Sequence, residues 1–223
     1  MSTTTTSSKA SIIARTTITM EYSSLMGAGH CPQGMYILPS KEDLFVWDGV
    51  FFAHEGKLST CFYSDAILKF RVTFPENYPD RPPTVRFITD VFHPLISQEG
   101  AFNHSHRFRP WRPKEHHIFD LLHFIKASFK KSTLDKLREE ECANKEAFRY
   151  HQSPQSFASL ATQSVQLSQS ETALFDRDHP GRIRGAPHAI QFQKLTAEQF
   201  RETKEKVGLR TVTRKDATPI KEI

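Results

Sequence analysis

Four histidines, His104, His106, His116 and His117, gather around Trp111, and their spacing raises the question of metal chemistry. Imidazoles in an H-x-H pair can ligate zinc, but zinc sites also draw on Cys or carboxylate ligands at defined separations. No Cys or carboxylate stands at such spacing here, so the segment reads as an ordinary polar loop with no metal expected. His93 and Pro94, slightly earlier, are expected to shape the loop after the fourth strand and to have no proton-transfer role. Cys31, Cys61 and Cys142 are too few and too scattered for a disulfide framework or a CxxC site. They read as unreactive thiols in a reducing compartment, the cytoplasm, and no cofactor is expected.

The elements that must position these residues follow from periodicity. A weak first helix is expected from about Ile12 to Met26, weakened by Thr16, Thr17 and Thr19. Strand signals cover Met35 to Leu38, Leu44 to Ala53, Leu68 to Phe74 and Thr84 to Ile88. The third is the clearest: Leu68, Phe70, Val72 and Phe74 alternate with Lys69, Arg71 and Thr73. Such closely consecutive strands predict an antiparallel meander. A long stretch without periodicity, Val91 to Pro113, precedes a helical face made by Ile118, Leu121, Leu122, Ile125 and Phe129. Weaker helical patterns cover Leu134 to Tyr150, which would place Cys142 on a helix, and Gln155 to Ser168. The fold class is α+β: a four-stranded antiparallel meander with an N-terminal helix and C-terminal helices.

The chain has 223 residues and a formal charge of +5, distributed unevenly. Through Phe175 there are 19 Lys+Arg against 18 Asp+Glu, and beyond it 11 against 7. The near-neutral domain gives no support to nucleic-acid binding. No apolar run approaches the ~20 residues that span a bilayer, so direct membrane insertion is not expected. The polar, Thr/Ser-rich residues 1–10 are expected to be a disordered N-terminus.

Beyond these patterns, Asn77-Tyr78-Pro79-Asp80-Arg81-Pro82-Pro83, His93-Pro94, Gly100 and Trp111-Arg112-Pro113 occur in an informative order. They resemble the ubiquitin-conjugating enzyme family, in which a YP..PP turn precedes a strand and an HPN motif. In that family the catalytic Cys follows the His by ten residues and a W-x-P follows the Cys by eight. Here those steps land on Asn103 and Trp111 without insertion. The resemblance covers about Ser11 to Phe175 and implies the fold of that family for residues 11–175.

Two departures bear on activity. Asn103 occupies the Cys position, and Leu95 the position of the HPN Asn, while His93, Pro94 and Trp111 remain as fold landmarks. A carboxamide can neither accept ubiquitin as a thioester nor leave from one. Leu95 has no donor with which to steady an oxyanion. The resemblance therefore implies a degenerate site and a pseudo-enzyme. With Trp111 assigned to packing, the mixture of Arg107, Arg109, Arg112 and Lys114 with Phe108 reads as a partner-facing or solvated loop, and not as a single-strand nucleic-acid platform.

Val46-Trp47-Asp48-Gly49-Val50, Val91-Phe92-His93-Pro94-Leu95 and Trp111-Arg112 with His116-His117-Ile118 are similar to the fused toes (AKT-interacting protein) and Crossbronx family. That family also reads HPL and lacks the cysteine. It assembles with Hook proteins and their FHIP partner, linking endosomes to dynein. The resemblance implies a non-catalytic scaffold with Hook-like coiled-coil and FHIP-like partners, cytoplasmic and endosome-associated through them. The alternative is a ubiquitin-binding variant that assists an active conjugating enzyme or sorts ubiquitylated cargo. In the basic tail, residues 176–223, Asp176 to His188 reads as linker. Thr196 with Gln199 predicts a capping box for a helix over about 197–207 that Gly208 ends.

Overall fold

Alternation of apolar and polar residues builds a sheet with one face buried. In the computed structural model, residues 3–53, 62–175 and 188–208 are described, residues 3–11 by backbone alone. Strands β1 (Met35–Pro39), β2 (Val46–Ala53), β3 (Ala66–Thr73) and β4 (Thr84–Phe87) lie in the order β1-β2-β3-β4, every pair antiparallel. The register sets Trp47 beside Val72, Phe51 beside Leu68 and Phe70 beside Phe87, all buried on the inner face. Gly49 is required there: a Cβ at this position would lie 2.3 Å from Cζ of the buried Phe70 ring. Gly49→Ala is expected to cost about 1–3 kcal/mol by overpacking, read as a lowered denaturation midpoint. An unchanged midpoint would show that the Phe70 ring can move aside.

Helix α1 (Thr3–Ser24) covers the inner face through Ala14 and Ile18, and Leu25 just beyond its end continues this buried spacing. It is longer than the sequence predicts and includes most of the stretch expected to be disordered. Once a packed segment has nucleated a helix, further turns cost little, even where Thr and Ser hydroxyls bond back to carbonyls one turn earlier at a slight cost to the helix. Thr17 Oγ1 donates to Ile13 O at 2.9 Å, and Thr19 Oγ1 to Arg15 O at 2.9 Å. Helix α2 (Ile118–Ser128) buries Ile118, Leu121, Leu122 and Ile125. Phe129, just past it, packs edge-on against Phe51 and Tyr63. This is the α+β plan that the strand and helix signals predict.

The helical pattern expected over Leu134 to Tyr150 is instead three pieces: α3 (Lys131–Leu134), a 3-10 turn (Glu139–Glu141) and α4 (Lys145–His151). The break has a local cause. Arg138 folds back onto Glu141, its Nη2 2.7 Å from Oε1, and Asn144 opens α4 by accepting Ala147 N–H at 2.9 Å. Cys142 therefore caps the 3-10 turn and is not on a helix. Helices α5 (Pro154–Ser168) and α6 (Glu171–Phe175) complete the domain, with Ser168 Oγ accepting Ile67 N–H on β3 at 3.1 Å.

The chain divides into two compact units, Met1–Gln191 and Phe192–Ile223. The first therefore runs past the boundary expected at Phe175. His188, expected to be linker, places its Nε2 3.2 Å from Phe70 O, while residues 176–187 lie outside the described residues. The second unit holds α7 (Ala197–Lys206), whose Thr196 and Gln199 bond reciprocally at 3.2 and 3.0 Å. Leu195, Phe200 and Val207 of this unit are exposed. No helix among the described residues is long and apolar enough to cross a membrane.

Candidate functional site

His93 is fully buried against the rings of Tyr63 and Phe129, at centroid distances of 5.5 and 4.7 Å. Its Nδ1 accepts Leu95 N–H at 3.0 Å, which leaves Nε2 to carry the proton and donate to Ser128 O at 3.1 Å. Burial pushes the imidazole pKa down from 6.5 to about 4, so the ring is neutral at physiological pH. In this state His93 ties the loop to the end of α2.

Pro94 to Asn103 forms a narrow loop lashed to β4. Phe102 N donates to Val85 O at 2.9 Å, and Phe87 N to Gly100 O at 2.8 Å. Gly100 sits at φ +85°, where a Cβ would meet Phe87 O at 2.3 Å, so only glycine fits the turn. Across the loop, Asn103 N donates to Leu95 O at 2.8 Å. Leu95 is 0% exposed and belongs to the apolar core.

The Asn103 side chain is engaged on both sides. Its Oδ1 accepts from Ser105 Oγ at 2.6 Å and from Ser105 N at 3.1 Å, and its Nδ2 donates to Glu141 O at 2.9 Å. A second bond, Asn144 N to Pro94 O at 2.8 Å, joins the same two segments. The loop is thus strutted against the 3-10 turn. Sequence reasoning missed this strut because its ends lie 38 residues apart and no local pattern links them.

Cys142 lies one residue beyond Glu141, nearer to Asn103 than its place in the sequence suggests. Its thiol donates to Arg138 O at 3.2 Å. Burial, reinforced by the carboxylates of Glu141, Glu139 and Glu140, pushes its pKa from 9.0 to about 11. Cys31 bonds Met35 O at 3.5 Å, and burial raises its pKa too. Cys61 lies outside the described residues.

The four histidines do not converge. His104 Nε2 donates to Pro83 O at 3.0 Å, His116 Nδ1 accepts Arg112 N–H at 3.0 Å, and His117 Nδ1 faces Glu21 Oε1 at 3.1 Å. The Nδ1 atoms of His104 and His106 are buried without a hydrogen-bond partner, and burial lowers both pKa values. Among the described residues no group of three or more His, Cys, Asp or Glu is placed to hold a metal ion. The segment is less polar than its composition suggests: Phe108 is buried, packs edge-on against His116 and Phe124 and lies tilted against Trp111. Trp111 donates its indole N–H to Pro79 O at 2.7 Å, fixing this loop to the Tyr78-Pro79 turn.

The sheet, the loop strapped to β4 and the Trp111 anchor are the landmarks by which the fold is identified, and a ubiquitin-conjugating enzyme family profile matches residues 17–165. The chain belongs to the ubiquitin-conjugating enzyme family. Among curated relatives of this family member, an AKT-interacting protein from Danio rerio is 34% identical over 177 residues, covering 78% of this chain and 55% of its own length. A protein AKTIP homolog from Nematostella vectensis is 30% identical over 177 residues, covering 78% of this chain and 54% of its own. A protein crossbronx from Drosophila virilis is 30% identical over 172 residues, covering 74% and 65%. The chain thus spans about half the length of the first two relatives and about two thirds of the third. It is a variant of the conjugating-enzyme fold similar to the fused toes and crossbronx proteins.

Proposed function

We propose that this chain is a non-catalytic variant of the ubiquitin-conjugating fold that acts as a protein-binding scaffold. The observation that carries this reading is Asn103, a carboxamide at the nucleophile position of the motif, bonded on one side to Ser105 and on the other to Glu141. Ubiquitin charging needs a thiolate to attack a thioester carbonyl and, in the next step, to depart from it. The carboxamide offers neither step, and the buried, apolar Leu95 offers no donor to an oxyanion. Cys142 is no substitute, since at a pKa of about 11 only ~10⁻⁴ of it is thiolate at neutral pH.

The likeness to AKT-interacting and crossbronx proteins supports protein binding as the retained role. We take the partners to be a Hook-like coiled coil and an FHIP-like protein, in a complex that links endosomes to dynein. Ubiquitin binding is the competing outcome.

The chain is expected to form no reductant-sensitive adduct with activating enzyme, ubiquitin and ATP. Asn103→Cys is expected not to restore lysine transfer, because the missing donor alone costs ~10²–10³ in rate and the strut to Glu141 is lost with the amide. A thiol-labile band on the wild-type chain, removed by a Cys142 or Cys61 substitution, would sink the reading. In a capture assay the chain is expected to retain a Hook-like C-terminal coiled coil and not free ubiquitin. The reverse result would select the ubiquitin-binding role.

A further inference from the structure

Asp48 is 0% exposed, yet it is no part of the apolar core. It alternates along β2 with the inward Trp47 and Gly49, so it lies on the outer face of the sheet, opposite Arg71 on β3. Arg71 grips both carboxylate oxygens, Nε to Oδ1 at 2.7 Å and Nη2 to Oδ2 at 3.2 Å. A third donor comes from the tail: Ala189 N–H reaches Oδ2 at 2.8 Å. Beside it, His188 Nε2 lies 3.2 Å from Phe70 O and 3.8 Å from Asp48 Oδ1, while its Nδ1 lies 2.9 Å from Ile190 O.

We propose that residues 188–190 are a releasable strap over the outer face of the sheet, with Asp48 as its receptor. Ala189 is exposed, Ile190 is half-buried and the His188 side chain is 11% exposed; the polar part of their hold is a charge-assisted bond to Asp48 and a bond to Phe70 O. Against it stands the cost of ordering three backbones. The receptor tolerates release. Asp48 keeps its two-pronged pairing with Arg71 when the tail leaves, so the open state contains no orphaned buried charge. Closed and open forms therefore lie close in free energy.

The register gives release a consequence. Leu38 lies beside Asp48 and Tyr36 beside Val50, and both side chains stand exposed on this face, with Tyr36 set edge-on to Phe52 at 5.7 Å. Opening the strap extends that exposed row to Asp48 and gates how much outer face the sheet presents. The occupant is the chain's own tail, and the proposal is independent of the scaffold reading.

Amide hydrogen exchange on the full chain at two protein concentrations tests it. The Ala189 amide is expected to exchange ~10–10³-fold more slowly than an unstructured amide, yet at least ~10-fold faster than the Val50 and Phe70 amides of the sheet. His188→Ala is expected to lower the Ala189 protection ~10-fold and to leave the sheet amides as they are. An unprotected Ala189 would mean that no strap forms. Protection equal to that of the sheet would mean that these residues open only with the whole fold. Protection that falls on dilution would assign the strap to a second copy of the chain. Each of these three results overturns the proposal.

Discussion

Glu21→Ala is expected to destabilise the domain by about 3–5 kcal/mol, among the largest effects of any single side chain. Glu21 is only 6% exposed and gathers three donors from distant segments. Tyr78 Oη donates to Oε1 at 2.9 Å, His117 Nδ1 to Oε1 at 3.1 Å and Ile118 N to Oε2 at 3.1 Å. The last is an orphan N–H of the first turn of α2, so a carboxylate on α1 caps α2 from outside. Burial, then the Glu21 charge and its hydrogen bond, raise the Tyr78 pKa and keep it a phenol that can donate. Truncation leaves the Tyr78 hydroxyl and the Ile118 amide buried without an acceptor, at roughly 1–3 kcal/mol each. Glu21→Gln is expected to recover part of the loss, since it keeps one oxygen but turns an NH2 toward donors. Urea denaturation at neutral pH measures both variants. A loss below about 1 kcal/mol for Glu21→Ala would show that water replaces the carboxylate.

The second large effect is acid sensitivity. The folded-state pKa of His93 lies at about 4, below the ordinary 6.5, so between these values the unfolded chain binds a proton that the folded one refuses. Stability is therefore lost as pH falls through 6.5 and levels off below about 4, a total of about 3 kcal/mol from this residue. At pH 5 the loss relative to pH 7.5 is about 2 kcal/mol. Burial lowers the pKa values of His104, His106 and His151 as well, which adds in the same direction. His93→Gln supplies a non-titrating amide in place of the ring. It is expected to flatten the profile between pH 7.5 and 5 whatever its effect at neutral pH. Equal slopes in the variant and wild type, or a His93 ring resonance that titrates above pH 5.5, would refute the assignment.

What the sequence made legible was what its periodicity encodes. Leu68 to Phe74 announces a half-buried strand and Ile118 to Phe129 a helical face, because burial on one side leaves a repeat of the same period. The family spacing from His93 to Asn103 to Trp111 was readable for a related reason: that loop keeps its length between fixed anchors. The missed features are interactions between distant segments. Glu21 meets Ile118, Asn103 meets Glu141 and Asp48 meets Ala189, and in each case one partner looks like an ordinary surface residue. Two local signals were nonetheless present. Asn144 is a good N-cap, which should have divided the pattern over Leu134 to Tyr150. Glu21 completes the spacing of Ala14, Ile18 and Leu25, which placed a carboxylate on a buried face.

The consecutive order of the strands has a kinetic meaning. Each strand finds its partner as the next one along the chain, so every pairing in the sheet closes a short loop. The contact from Glu21 to Ile118 closes one of 97 residues. Closure entropy grows with the logarithm of loop length, and contacts distant in sequence are the slower ones to form. The meander is thus the natural nucleus, and the clasp between α1 and α2 belongs to the late, native side of the barrier. Strengthening that clasp prolongs the lifetime of the folded state more than it hastens its arrival.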